Sequence, residues 1–149
     1  MKHTFVICAY KESEFLEECI LSLKNQSISS EIFIATSTPN KYIEALAEKY
    51  NLKVFVNDGP GGITQDWNFG LSKVKTKYAT VAHQDDIYES SYSEKIIKDR
   101  EHINAPTRGT KLPYMESNRY KNTCSYRQVS PPLCYVGHYK YTKHSKHTK

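Results

Sequence analysis

Four short apolar runs alternate with segments whose apolar residues recur at helical spacing, and this alternation restricts the possible folds more than any other feature of the chain. The runs are Thr4-Phe-Val-Ile-Cys-Ala9, Glu31-Ile-Phe-Ile-Ala35, Leu52-Lys-Val-Phe-Val56 and Tyr78-Ala-Thr-Val-Ala82. Continuous apolar stretches of this length suit strands covered on both faces. After the first run, Phe15, Leu16, Cys19, Ile20 and Leu23 predict a helix, with Ser13 as its cap and Glu14, Glu17 and Glu18 in its early turns. Pro39-Asn40 opens a second helix, with Ile43, Leu46, Ala47 and Tyr50 along one face. Asn57-Asp-Gly-Pro-Gly-Gly62 is a turn signal, and a third helix is expected from about Thr64, carrying Ile63, Trp67, Leu71 and Val74 on one face. A last helix is expected over 93–103, with Ile96, Ile97 and Ile103 inward. The order β-α-β-α-β-α-β predicts an α/β fold, a doubly wound and mostly parallel sheet with right-handed crossovers.

At 149 residues the chain is long enough for one domain with a real core. Its overall charge of +5 divides unevenly. Residues 1–99 hold 11 Lys/Arg against 14 Asp/Glu, a net −3, whereas residues 100–149 hold 10 against 2, a net +8. The first two thirds therefore do not read as a nucleic-acid-binding surface. The four cysteines, Cys8, Cys19, Cys124 and Cys134, show no close-spaced metal pattern, and Cys8 and Cys19 fall at apolar positions, as core thiols would. The apolar start is too short for a signal peptide, and no window approaches a transmembrane span. The expected location is a reducing cytoplasm, with the inner face of the membrane as an alternative.

In open α/β sheets, ligands bind beyond the carboxyl ends of the strands. Four segments gather there: Ala9-Tyr-Lys-Glu12, Ala35-Thr-Ser-Thr38, Asn57 to Gly62, and His83-Gln-Asp-Asp86. Adjacent carboxylates such as Asp85 and Asp86 repel one another and are costly to bury. At a sheet mouth they make sense when a cation sits between them and an anionic ligand, and Mg²⁺ and Mn²⁺ commonly bridge carboxylates to phosphates. The plainer reading of the pair is a solvated loop. A glycine-rich turn before a helix can present backbone N–H groups to a phosphate, though such turns are more often tight connections. Tyr10 could stack on a base or simply pack. His83 could ligate a metal, donate to one of its ligands, or only end the strand.

Phe5-Val-Ile-Cys-Ala-Tyr-Lys-Glu12 followed by Phe15-Leu-Glu-Glu-Cys-Ile-Leu-Ser-Leu-Lys-Asn-Gln-Ser27 resembles the opening of family-2 glycosyltransferases. Gly61-Gly-Ile-Thr-Gln-Asp-Trp-Asn-Phe-Gly-Leu71 is similar to that family's glycine-rich, Arg-Asn-x-Gly-Leu helix, and His83-Gln-Asp-Asp86 resembles its Asp-x-Asp-Asp metal motif. The resemblance spans roughly residues 3 to 90, the nucleotide-binding half of a GT-A (Rossmann-like) fold. It implies an incomplete fold of that type and a nucleotide-sugar donor, a UDP-sugar first. It also implies Mn²⁺ or Mg²⁺, a glycan or lipid-linked acceptor, and inversion at the anomeric carbon. Donor contacts would come from Ala9, Tyr10, Glu12, Thr36, Asn57, Asp58, Gly62, Asn68 and Asp85. The metal would be held by Asp85 and Asp86, with His83 beside them. Asn68 would hold the glycine loop or approach the donor. Three positions depart from the family pattern. Ala35-Thr36-Ser37 stands where a base-reading Asp is usual, Trp67 replaces the helix Arg, and His83 replaces the first acid of the metal motif.

Beyond about residue 103 no apolar period continues, and the expectation for 104–149 is an irregular basic tail. Beyond Glu101 the only acid is Glu116, so no catalytic base is assigned. Three readings of the tail stand side by side. It is a frameshifted or truncated continuation, a basic arm for anionic lipid or nucleic acid, or a small metal site built from Cys134, His138, His144 and His147. The functional expectation is a family-2-like transferase with weak or no activity in this chain. Its rivals are a non-catalytic nucleotide-binding domain working through a partner and a basic-tail adaptor.

Overall fold

A computed structural model of the chain describes residues 1–102 and 133–135, with backbone alone at 100–102 and 133–135. The elements run β1 (His3–Ala9), α1 (Leu16–Lys24), β2 (Glu31–Thr36), α2 (Lys41–Tyr50), β3 (Lys53–Val56), α3 (Ile63–Ser72), β4 (Tyr78–His83), α4 (Tyr92–His102) and β5 (Leu133–Tyr135). The strands form one sheet in the order β3-β2-β1-β4-β5, and every pairing is parallel. This is the expected doubly wound α/β arrangement. Its strand order reverses between β1 and β4, where such sheets leave a crevice at their carboxyl edge.

Alternate residues of β1 serve opposite faces. Phe5, Ile7 and Ala9 pack with Leu16, Cys19, Ile20 and Leu23 of α1, with Ile43, Leu46 and Ala47 of α2, and with Tyr88 and Tyr92. Val6 packs on the other face with Phe33, Ala35, Val74 and Ala79, flanked by Phe69 and Leu71. Residues on both faces are buried, which is why the strands read as continuous apolar runs rather than alternating ones. The edge strand β3 is the exception, with Lys53 and Val56 exposed.

Local signals account for most boundaries. Asn40 caps α2 by accepting from the Ile43 backbone N–H at 2.9 Å, and Asn51 ends it in a left-handed conformation (φ 53°). Other details differ from the sequence reading. Ser13 does not cap α1. Its hydroxyl accepts from the N–H of Phe15 at 3.4 Å, and Phe15 is the cap residue, 51 % exposed rather than buried. Ile63 is likewise 70 % exposed, and the buried positions of α3 are Asp66 and Gly70. The physical reason is contact distance. A Cβ built on Gly70 would lie 2.5 Å from Val6 Cγ1 and 3.1 Å from Ala35 Cβ, so the glycine row is where the helix backbone meets the sheet. The apolar row that set the periodicity lies to one side of that contact, with Trp67 and Leu71 half-buried.

Ile97 is buried on α4, and Ile103 lies outside the described residues. β5 pairs in register with β4 through Tyr78↔Leu133, Ala79↔Cys134 and Thr80↔Tyr135, a strand in a region read as irregular. The remaining tail readings, the boundary at 103–104, Glu116, and the His138, His144 and His147 side chains lie outside the described residues.

Candidate functional site: the carboxyl edge of the sheet

Because β1 to β4 are parallel, Ala9, Thr36, Val56 and His83 all end at the same edge of the sheet. Ala9 is buried and pairs with Thr36, also buried. The chain then leaves β1 through Tyr10, 54 % exposed, and Lys11, whose φ of 56° is left-handed although it is not a glycine. This connection is pinned on both sides. The Gln84 side-chain amide spans the crevice, accepting from the Tyr10 N–H and donating to the Tyr10 carbonyl, each at 3.0 Å. It extends the β1–β4 pairing by one side-chain rung. On the other side the Lys11 N–H donates to Thr38 Oγ1 at 2.6 Å, and the Thr38 N–H donates to Thr36 Oγ1 at 3.0 Å. The Lys11 ammonium lies 5.2 Å from the Tyr10 ring centroid. Glu12 is exposed just beyond.

The glycine-rich turn is organised from beneath by Asp66. One carboxylate oxygen accepts from Asn57 Nδ2 and the other from Ser37 Oγ, both at 2.8 Å. Asn57 also accepts from the Gly59 N–H at 3.1 Å, and its own N–H donates to the Thr36 carbonyl at 2.8 Å. Gly62 opens α3 at φ 141°, a backbone conformation that strains any residue with a Cβ, whereas Gln65 Oε1, 2.6 Å from where that Cβ would stand, is the tip of an exposed, flexible side chain that can move aside. Asp58 and Asn68 are exposed, and the contacts that hold the loop come from Asn57 and Asp66 rather than from Asn68. Asp66 also brings a carboxylate into the first turn of α3, so the positive end of that helix already faces an anion of its own.

At the end of β4 the acid pair divides. Asp85 is exposed, whereas Asp86 is 7 % exposed and turns toward the core. Burial, then the Asp86 and Asp85 charges, push the Cys19 thiol above its ordinary range, and burial followed by Asp86 does the same to the Tyr88 phenol. The Cys19 thiol donates to the His83 carbonyl at 3.2 Å. Cys8 is pushed up to about 12 by burial and then by Asp66. Both thiols therefore stay protonated near neutrality, as core thiols, and neither is a nucleophile. Trp67 packs edge-on against the His83 imidazole at 5.1 Å, occupying the place of the expected helix Arg. Among the described residues no three His, Cys, Asp or Glu side chains gather in a way that could hold a metal, so His83, Asp85 and Asp86 do not make a three-sided chelate. The donor set still fits Mg²⁺ or Mn²⁺, because such ions take one or two carboxylates and complete their shell with water and phosphate oxygens.

Sequence reasoning missed Asp66 and Gln84. Gln84 sat unremarked inside the acid motif. Asp66 lies four residues before Gly70 and shares its face, a pairing hidden by attention to the apolar row.

A pinned loop, a glycine turn and an exposed acid thus lie together at the carboxyl edge of an open, parallel α/β sheet. The profile of Glycosyl transferase family 2 matches residues 4–126, and the chain belongs to that family. The match runs past residue 103, beyond the roughly 3–90 stretch that carries the motifs quoted above. Among solved structures, the fold is shared with S. aureus TarS 1-349, at 20 % identity and a TM-score of 0.60 over 75 % of this chain and 39 % of that one. A second structure is TarS 1-349 in complex with UDP-GlcNAc, at 21 % identity and a TM-score of 0.58, over 68 % and 32 % respectively. A further S. aureus TarS structure matches at 20 % identity and a TM-score of 0.55, over 76 % of this chain and 23 % of that one. The chain thus spans well under half the length of these structures. No curated protein matches the sequence.

Proposed function

We propose that this domain binds a nucleoside-diphosphate sugar at the crevice between β1 and β4 and serves transfer of the sugar to a hydroxyl on a glycan or lipid-linked acceptor. The observation that carries the reading is the family membership of residues 4–126, set on a parallel sheet whose strand order reverses beside Tyr10 and Gln84. The UDP-GlcNAc complex of TarS supports a UDP-sugar as the first donor to test. Tyr10 offers an exposed ring for stacking, and the Thr36–Ser37 and Asn57 ends frame the base and ribose.

A diphosphate brought to this mouth meets Asp85 and, behind it, Asp86. Two anionic groups repel, so a divalent cation favours the complex. Asp85 would hold Mn²⁺ or Mg²⁺ through its exposed carboxylate, and a bound ion supplies charge neutralisation for the departing diphosphate. Direct attack by the acceptor hydroxyl on the anomeric carbon, with loss of the nucleoside diphosphate, gives inversion. Operation at the cytoplasmic face of a membrane suits a lipid-linked acceptor. Among the described residues no helix is long and apolar enough to cross a membrane.

The test is a thermal-shift panel of UDP, GDP, CDP and dTDP, each with and without Mn²⁺, on this chain and on Asp85→Ala. A ligand that binds only the folded state raises the melting temperature, by about 2.7 kcal/mol of stability at a hundredfold excess over Kd. The expected result is a Mn²⁺-dependent rise that Asp85→Ala abolishes. A cooperative melt that no nucleotide shifts would sink the proposal. Sugar transfer above hydrolysis, with candidate acceptors added, separates a transferase from a binding-only domain.

A further inference from the structure

The edge of the sheet opposite the crevice carries the other sign of charge. Lys2 precedes β1, Lys24 ends α1, Lys53 opens β3, and Lys73, Lys75 and Lys77 follow α3 and lead into β4. All six are exposed. Because every strand is parallel, these strand starts and helix ends meet at one place, the amino edge. Hydrogen bonds tie the segments together there. The Tyr78 N–H donates to the Lys2 carbonyl and the Lys24 ammonium to the Tyr50 carbonyl, each at 3.0 Å, and Thr4 Oγ1 lies 2.6 Å from Thr76 Oγ1. From β3 to β4 the row spans about 15 Å, at about 4.8 Å from strand to strand. Among the described residues, the acids of the same strand starts and last helix turns are Glu31 and Glu48. Glu89 and Glu94, near the α1–β2 turn, are engaged by lysines of their own, Lys95 and Lys98. The amino edge is therefore basic, whereas the exposed acids Glu12, Asp58 and Asp85 stand at the carboxyl edge.

We propose that this lysine-bearing amino edge is a docking surface for the headgroups of an anionic lipid bilayer, which it meets with the crevice facing away. A lysine ammonium is a compact point charge that suits a diffuse negative surface, whereas recognition of individual phosphates and bases favours the planar arginine fork. Residues 1–99 contain no arginine. The exposed aromatic rings among the described residues, Tyr10 and Phe15, stand at the other edge, so the lysine row offers no stacking platform for bases. Met1, 80 % exposed and beside Ser29, adds an apolar tip suited to the headgroup boundary. The acids of the carboxyl edge are repelled by the same surface, which gives the domain one orientation on it. The seven residues of β1 then hold the crevice about 20 Å from the headgroups, and an acceptor anchored in that bilayer would have to extend as far. Docking of this edge is independent of what the crevice binds.

The experiment uses the full chain and vesicles of phosphatidylcholine, alone or mixed with an equal part of phosphatidylglycerol. Co-sedimentation gives the affinity, and acetylation of lysines followed by peptide mass mapping shows which are covered. The mixed vesicles should bind the chain, the neutral ones should not, and added salt should release it. Lys53, Lys73, Lys75 and Lys77 should be protected. Lys41, exposed at the carboxyl edge as the first residue of α2, should react as in the free protein. Combining Lys73→Gln, Lys75→Gln and Lys77→Gln should weaken binding about hundredfold, and Lys41→Gln should leave it unchanged. Residues 100–149, with a net charge of +8, are the competing attachment. An unchanged affinity in the triple variant, or protection confined to lysines beyond residue 103, would hand the binding to that segment and overturn the proposal. Equal protection at both edges, or no binding to the mixed vesicles, overturns it as well. Tighter binding to poly(U) RNA than to mixed vesicles at equal phosphate concentration, with the same lysines covered, would assign the edge to nucleic acid and overturn the lipid commitment. Should the triple variant fail to fold, the acetylation pattern of the unsubstituted chain decides alone.

Discussion

Replacing Gly70 by alanine should destabilise the domain by an amount that depends on residue 6. The new Cβ would meet Val6 Cγ1 at 2.5 Å and Ala35 Cβ at 3.1 Å, where ordinary carbon contacts lie near 3.5–4.0 Å. Neither neighbour yields easily. Val6 and Ala35 are fully buried in the sheet, and valine is stiff about χ1. Forcing a methyl into such a contact costs about 1–3 kcal/mol, while alanine's helix preference over glycine returns about 1. The net loss is therefore up to about 2 kcal/mol, each kcal/mol lowering the melting temperature by about 4–8 °C in a domain of this size. The assay is urea and thermal unfolding followed by far-UV circular dichroism, in the native background and in Val6→Ala. Removing the Val6 methyls opens the contact, so in that background Gly70→Ala should be neutral or stabilising by up to about 1 kcal/mol. Equal effects in the two backgrounds would refute the claim that close approach of α3 to the sheet fixes a glycine at this position.

Three further outcomes are expected. His3 is buried between Ser30 Oγ and Thr80 Oγ1, each 2.9 Å from a ring nitrogen, and burial lowers its pKa to about 4 from 6.5. Below pH 6.5 the unfolded chain takes up a proton that the folded chain refuses. Stability attributable to His3 is therefore full above 6.5 and falls as pH drops to about 4, by roughly 3 kcal/mol in all. His3→Asn should flatten that part of a stability–pH profile, and an unchanged slope would locate the acid sensitivity elsewhere. Gln84→Ala removes both hydrogen bonds that hold Tyr10 and should weaken nucleotide binding about three- to tenfold with little change in melting temperature, read by titration of Trp67 fluorescence. Unaltered affinity would show that the clasp is incidental. Cys8 and Cys19 should resist iodoacetamide at pH 8 until the protein unfolds, as followed by peptide mass mapping, and fast labelling of either in the native state would contradict the thiol environments described.

Most of the fold was legible in the sequence, because burial leaves a period. The runs at Phe5, Phe33, Phe55 and Val81 became strands of one parallel sheet, and Leu16, Ile20, Ile43 and Leu46 face its core as their spacing required. The period misleads at helix ends, where Phe15, the N-cap of α1, and Ile63, the first residue of α3, match the spacing but stay exposed. It is silent where contact is made by a glycine, as at Gly70. The strand β5 is too short and too isolated in sequence for any period to form, and it exists through pairing with β4.

By itself the sequence determined the order of elements and the gathering of loops at one edge. Both follow from apolar patterning and chain connectivity, which are local or nearly so. Only the tertiary structure decided which polar groups work together. Asp85 and Asp86 are neighbours in sequence, yet one faces solvent and the other the core, because successive residues of a tight turn point different ways. Asp66 and Ser37 are 29 residues apart, and Gln84 and Tyr10 are 74 apart, joined by hydrogen bonds that no spacing encodes. Apolar burial is additive and leaves its mark on every turn of a helix. A directed hydrogen bond depends on one pair of atoms arriving within about 3 Å of each other, and folding alone brings them there.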